Sequence, residues 1–524
     1  MNYKGFTTVK LRKPERSRFD MSHELKMSSK MGQLTPIIIQ ETIPNDTFNM
    51  RVELLMRFAP MLAPIMHRVE AFVHFFFVPN RLLWKEWETF ITAGRLGTSN
   101  PVPPYVDMET ARTNNLLNKS TLADYLGFPT PLPSGSYTGR RLHLMPFMAY
   151  HRVWLDYYRD RNFIDDDAGL PLPSGLNTLD AAMISRMTLK YRAWRQDYFT
   201  SALPFVQRGA SVLLPLIGTG TVQYKKPTLT KRADNDALIG GAIDSNAGSA
   251  RVAAVNAYFD NIQSIDISNT QTTINDLRRA VRLQEWYERN ALAGSRYNES
   301  IMAHFGRRTS DARLQRAEYL GGGKLPIKIS EIPTTAYSQD GGSNVIPPGR
   351  LAGHALAADS GLASFSYNCE EHGFIIGILS VLPRATYQQG APRMFWKRDT
   401  FLDYPWPTFA HLGEQEVYKA EIYADSVNIP TYGSNLTVFG YQSRYADWKD
   451  LYSRVSGDFR DTLDYWHLGR KFASSPNLNE NFVTFEQSLQ DRIFAVSGVD
   501  VLWSYIWFDL QVTRSLPYYG TPTL

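Results

Sequence analysis

The segment Ile65–Val78 alternates. Ile65, Val69, Ala71, Val73, Phe75 and Phe77 fall on one side of an extended chain, with His67 among them. Met66, Arg68, Glu70, Phe72, His74 and Phe76 fall on the other. The first side is largely apolar, while the second begins polar and turns apolar. The pattern therefore predicts a strand that is covered on both faces at one end. Burying each Phe is worth roughly 1.5–3 kcal/mol, so the row Phe75–Phe77 calls for a cover. Another sheet, a helix or another subunit would serve.

Further strands are expected at Leu34–Glu41, Phe48–Phe58, Phe374–Leu382, Val417–Tyr423, Phe482–Leu489 and Val501–Val512, separated by Pro, Gly, Asn and Asp. This spacing suits a sandwich or barrel rather than alternating β-α-β units. Helical spacing follows Pro79-Asn80, where Leu83, Trp87, Phe90 and Ile91 share a face. It recurs after Pro146, where Phe147, Tyr150, Trp154 and Tyr157 make a stripe. Thr273 and Asp276 have the spacing of a weak capping box before Leu277, Val281 and Tyr287. Residues 223–271 break the pattern: they are rich in Ala, Gly, Ser, Asn and Asp and poor in aromatics, as in a long surface insertion.

Composition narrows the picture. The longest apolar run, Phe374–Leu382, is far short of the roughly 20 residues a membrane-spanning helix needs. The start lacks an apolar core of the secretory type, so no secretory signal is expected. Cys369 is the single cysteine, which excludes an intrachain disulfide. Residues 1–30 hold eight basic and three acidic side chains, an excess equal to the whole net charge of +5. Such an arm can touch phosphate through Lys10, Arg12, Lys13, Arg16 and Arg18. It can equally be a solvated, partly disordered terminus.

Catalytic signals are weak. "LGGGKLP" at Leu320–Pro326 lacks the spacing of a phosphate loop and reads as a flexible turn before a strand. Cys369 and His372 form one metal-type pair without the second that a structural zinc needs. Asp165, Asp166 and Asp167 lack a calcium-loop spacing and read as solvated. His67 and His74, seven apart on a strand, would point to opposite faces and so could not share a metal. Neither a nucleophile elbow nor a metalloprotease helix appears.

Several longer motifs carry a resemblance. "MGQLTPI", "RFAPMLAPIMHRVEAFVHFFFVPNRLLW", "PFMAYHRVWLDYYRDRNF" and "GYQSRYADWKDLYSRVSGDFR" occur in order from about Phe19 onward. Together they resemble the major capsid protein of the Microviridae, particularly the gokushovirus type. The resemblance implies a mainly β protein, an eight-stranded antiparallel jelly roll with long helical and loop insertions. It implies no catalytic residue, cofactor or metal. Beyond the basic arm at 1–30 that the charges mark, it implies a first part of the jelly roll at 31–222, a threefold protrusion at 223–271 and the remaining strands at 272–524. Self-assembly into an icosahedral shell around circular single-stranded DNA follows from it, in a virion assembled in the bacterial cytoplasm. Internal scaffolding and DNA-packaging proteins and a host surface receptor are the further partners implied, with no membrane insertion. The variable insertion is expected to take part in attachment. The rival reading is a β-scaffold carbohydrate-active enzyme or lectin-like binder, with the 11 Trp and 28 Tyr lining a sugar groove and two carboxylates at catalytic separation.

Overall fold

A computed structural model describes residues 16–95, 98–207, 274–293, 303, 310–311, 314–333, 338–339, 345–346, 351–429, 436–496 and 498–519. The chain divides into two units, one made of Met1–Val206 with Ser295–Leu524 and the other of Gln207–Gly294.

Ten strands build the first unit's two large sheets: β1 (Ser17–Asp20), β2 (His23–Ser29), β3 (Thr35–Thr42), β4 (Thr47–Phe58), β5 (Val69–Pro79), β6 (Glu318–Pro326), β7 (Lys328–Pro333), β8 (Leu351–Asn368), β9 (Gly373–Pro383) and β10 (Leu502–Arg514). In the first sheet the order is β2-β10-β4-β8, all antiparallel. In the second it is β3-β9-β5-β6, also antiparallel. The chain passes back and forth between the sheets, as in a jelly roll. β1 extends the β2 edge along the far end of β10, and β7 extends the β8 edge. Among the described residues the two sheets thus hold ten strands, and the expected count of eight is not confirmed.

The sheets pack face to face. From β4, Phe48, Met50, Val52, Leu54, Met56 and Phe58 enter one buried cluster together with Val73, Phe75 and Phe77 of β5 and Ile506, Phe508 and Leu510 of β10. The alternation of β4 and β10 leaves their other side chains toward solvent. β9 is buried at every position. Its Phe374, Ile376 and Ile378, with Phe76 and Val78 of β5, enter a second cluster on the far face of the second sheet. The cover there is helical. Helix α1 (Met145–Val153) contributes Phe147, Met148, Tyr150 and Val153, and continues as a wider π-type turn over Trp154–Tyr158. Pro146 sits in its first turn, where no amide donor is missed. The fully buried Tyr150 hydroxyl donates to the Leu34 carbonyl at 2.8 Å and accepts from the Lys190 amide at 2.9 Å, tying α1 to β3. The aromatic row is thus shared out: Phe75 and Phe77 go between the sheets, and Phe76 goes under the helices.

Several expectations shift. The strand expected from Ile65 begins at Val69, because the Met66 amide and His67 ring are bonded to Trp466 and Arg384 instead. Val417–Tyr423 splits into a strand, Glu414–Tyr418, and a helical turn, Lys419–Ile422, where the Glu421 carboxylate accepts from the Tyr418 amide and bends the chain. Phe482–Leu489 is not a strand: Asn479 caps a helical turn at Glu480–Val483, and a second turn follows at Ser488–Asp491. The helix expected after Asn80 is split into a 3-10 turn at Asn80–Leu82 and a helix at Trp87–Thr92, with Leu83 buried and Ile91 exposed. α1 is buried on more than one stripe, because it lies between the second sheet and the residues that follow it. In the other unit, helix α2 (Ile274–Ala293) forms as expected, with Arg282 and Arg289 paired to Glu285. Thr273 and residues 223–271 lie outside the described residues.

Candidate nucleic-acid and subunit interfaces

Two of the five arm residues can be placed. Arg16 and Arg18 are exposed at the edge of the first sheet, and Lys10, Arg12 and Lys13 lie outside the described residues. Arg16 donates to the Asn45 carbonyl at 2.7 Å and the Thr47 hydroxyl at 2.8 Å. Arg18 donates to Gln511 at 3.2 Å. The chain from Ser17 onward is therefore held in the sheet rather than loose. At the other end of β10, on the sheet's solvent face, Trp503 is 48% exposed and pairs across with Arg57, and Tyr505 lies under Lys26 at 5.9 Å. Aromatic and basic groups on one exposed face suit stacking on unpaired bases beside phosphate contact. Sequence reasoning named none of these aromatics, although the alternation of Trp503, Tyr505 and Trp507 in Val501–Val512 could have shown them.

A second surface is apolar. Phe395 is 66% exposed, and Phe401, Tyr404, Trp406 and Trp448 are each at least half exposed. Arg398 sits against Tyr404 and Trp448, at 5.8 and 5.2 Å from their rings, and is fixed by Asp447 at 2.7 Å. Aromatic and Arg side chains gathered on exposed loops are the composition of a protein–protein contact.

The motifs weighed for chemistry have structural roles. Gly321, Gly322 and Gly323 lie inside β6, not in a turn before it. A Cβ on Gly323 would collide with the Leu362 carbonyl, and one on Gly322 with the Val73 carbonyl, so the run permits close backbone approach. Cys369 is fully buried, which pushes its thiol up to about 12, while His372 packs its ring near Trp87 at 5.6 Å. Among the described residues no His, Cys, Asp and Glu cluster has the makings of a metal site. Asp167 is not merely solvated. It accepts from His151 of α1 at 2.9 Å and from Arg186 at 2.6 and 2.7 Å. Burial opposes its charge, but these bonds prevail and hold its carboxyl well below the usual carboxylate range. Burial pushes both His67 and His74 down to about 4. His74 packs with Phe76 and meets the Tyr158 hydroxyl at 2.7 Å, and His67, outside the strand, meets the Arg384 carbonyl at 2.7 Å.

A jelly-roll sandwich with inserted layers, an exposed aromatic surface and structural roles for its polar motifs define a protein that works by packing against others. The chain belongs to the capsid protein (F protein) family, which matches residues 7–524. It is similar to capsid protein VP1 of Chlamydia phage 1, with 34% identity covering 99% of this chain and 97% of that one. Capsid protein VP1 of Bdellovibrio phage phiMH2K is 32% identical over 99% and 98%. Capsid protein VP1 of Spiroplasma virus 4 is 27% identical over 97% and 95%. The chain is thus a phage major capsid protein of the Microviridae type, a virion component that acts in a multimeric shell and not as an enzyme. Nothing supports the carbohydrate-binding reading. No helix among the described residues is long and apolar enough to cross a membrane.

Proposed function

We propose that copies of this chain close into an icosahedral shell around a circular single-stranded DNA genome. The capsid-family match over residues 7–524 is the observation that carries the reading. Each contact in such a shell can be modest, because closure makes the contacts multivalent. The surface of Phe395, Phe401, Tyr404, Trp406 and Trp448 is assigned to a neighbouring copy, since leaving it in water is costly. Lys10, Arg12, Lys13, Arg16 and Arg18 are assigned to the genome, through phosphate contacts that carry no sequence preference. Assembly in the host cytoplasm with internal scaffolding and DNA-packaging proteins belongs to the same reading. Residues 223–271 are assigned to host attachment, so their deletion should spare folding and remove binding to the cell surface receptor. The test of the genome assignment is replacement of the five arm residues by Ala. DNA retention by the particles should then fall off less steeply with salt. An unchanged salt dependence would remove the arm from the interface.

A further inference from the structure

Three adjacent strands of the second sheet bring cations to one end. Arg68 stands just before β5, Arg384 just after β9, and Lys324 lies in β6 opposite Phe72 of β5. The Arg384 amide donates to the Arg68 carbonyl at 3.0 Å, so the two arginines leave the sheet side by side. Arg195 joins them from the segment that covers this end. The buried Glu70 carboxylate binds Arg68 and Arg195, each at 2.8 Å, and pins both guanidinium groups at the rim of a cavity of about 230 Å³. Lys324 and Arg384 also line that cavity, and neither side chain has an ion pair or hydrogen bond among the described residues. Two acids stand in its wall beside the four cations: Asp197 is already engaged by the Tyr387 hydroxyl and by the amides of Phe199 and Thr200, and Asp450 lies on the exposed side.

A second cavity, of about 380 Å³, shares Arg68, Arg384 and Ser453 with the first. Its lining differs: Met66, His67, Phe459 and His467 give it an apolar and aromatic wall, with Arg454 at its edge. Burial disfavours the charged form of both histidines, so these rings add little charge. The two lobes set fixed guanidinium groups, which match phosphate geometry, beside a wall on which a planar base can lie.

We infer that this two-lobed groove, formed by Arg68, Arg195, Lys324 and Arg384 beside Met66 and Phe459, binds the phosphodiester backbone and a base of single-stranded nucleic acid. The inference rests on the reading that the chain encloses DNA, and it adds a contact site far in sequence from the basic arm.

The test is binding of a fluorescent oligothymidine to the full-length chain across about 50 to 200 mM salt, where phosphate contacts dominate the response. The double variant Lys324→Gln/Arg384→Gln removes two cations that hold nothing else in place. Losing two single-strand phosphate contacts should shallow the slope of log affinity against log salt by about 1.4. Lys324→Arg/Arg384→Lys should keep the slope, as should Lys85→Gln/Lys119→Gln, which changes exposed lysines outside the groove. Inorganic phosphate, used as competitor, should displace the oligonucleotide only weakly, because it lacks the base. Equal slopes for wild type and the double variant, with both binding, would overturn the groove and leave the enclosing role standing. No binding by either would take down the DNA reading as well. Sensitivity of phosphate binding to the double variant, without oligonucleotide binding, would make this a free-phosphate site and overturn the inference. A double variant that binds DNA normally but forms no particles would show that the groove receives an acidic segment of a neighbouring copy instead.

Discussion

The two sheets of the sandwich differ in how many faces they bury. β4 and β10 of the first sheet alternate, with one face in the core and the other in solvent. β9 of the second sheet is buried at all positions, and β5 at all but His74. The difference lies in the chain between β5 and β6, which returns α1 and its neighbours over the second sheet. That layer is as much core as the space between the sheets. It also commits the second sheet's far face and leaves the first sheet's solvent face, with Trp503, Arg57 and Lys26, available to a partner.

The comparison is most easily broken at the aromatic row. Phe76→Ala, under the helices, should cost about 3–5 kcal/mol, the same as Phe75→Ala between the sheets. Chemical unfolding of the two variants measures this. A cost for Phe76→Ala under a third of that for Phe75→Ala would make the helical layer an ornament.

Asp167→Asn should cost about 1.5–3 kcal/mol, since it weakens the charged hydrogen bonds to the largely buried Arg186 and to His151 of α1. The lowered pKa of Asp167 gives the same cluster a pH signature. Its contribution is present above the unfolded carboxylate value and is lost as pH falls below it. The acid limb of stability should therefore be shallower in Asp167→Asn than in wild type below about pH 4.

His74, on the covered face, gives a smaller effect at milder pH. Its folded pKa is lowered to about 4 by burial first and Arg192 second, so the unfolded chain binds its proton more readily. Stability from this group is full above about pH 6.5 and declines as pH falls toward 4, by on the order of 2 kcal/mol. His74→Gln should flatten that part of the profile, read as melting temperature against pH. A profile identical to wild type would mean that His74 is not buried under the helices.

The smallest effect is on the open face. Trp503→Ser should change stability by about 0.5 kcal/mol, because that side chain is half exposed and outside both buried clusters. A loss several times larger would show that the first sheet also has an internal cover.

What was legible in the sequence follows the same division. β4, β5, β9 and β10 were readable because their apolar residues recur with period two or run without a break. The helix after Pro146 was readable from its stripe. β2, β6 and β7 were not, because "HELKMSS", "EYLGGGKLP" and "KISEIP" are edge strands or glycine-rich, with few side chains committed to the core. The role of Asp167 was hidden because its partners, His151 and Arg186, come from different elements. The basic groove was hidden for the same reason: residues 68, 195, 324 and 384 meet only when three strands end together. Of the arm, the charge excess was plain, but the pairing of Ser17–Asp20 with β10 was not, because four polar-rich residues carry little pattern.

The central claim is a shell that encloses single-stranded DNA. Light scattering of the purified chain, mixed with the proposed scaffolding protein and circular single-stranded DNA, tests it directly when followed by nuclease digestion. The account predicts uniform closed particles that retain nuclease-resistant circular DNA. A well-behaved monomer under those conditions, with all the DNA digested, would contradict it.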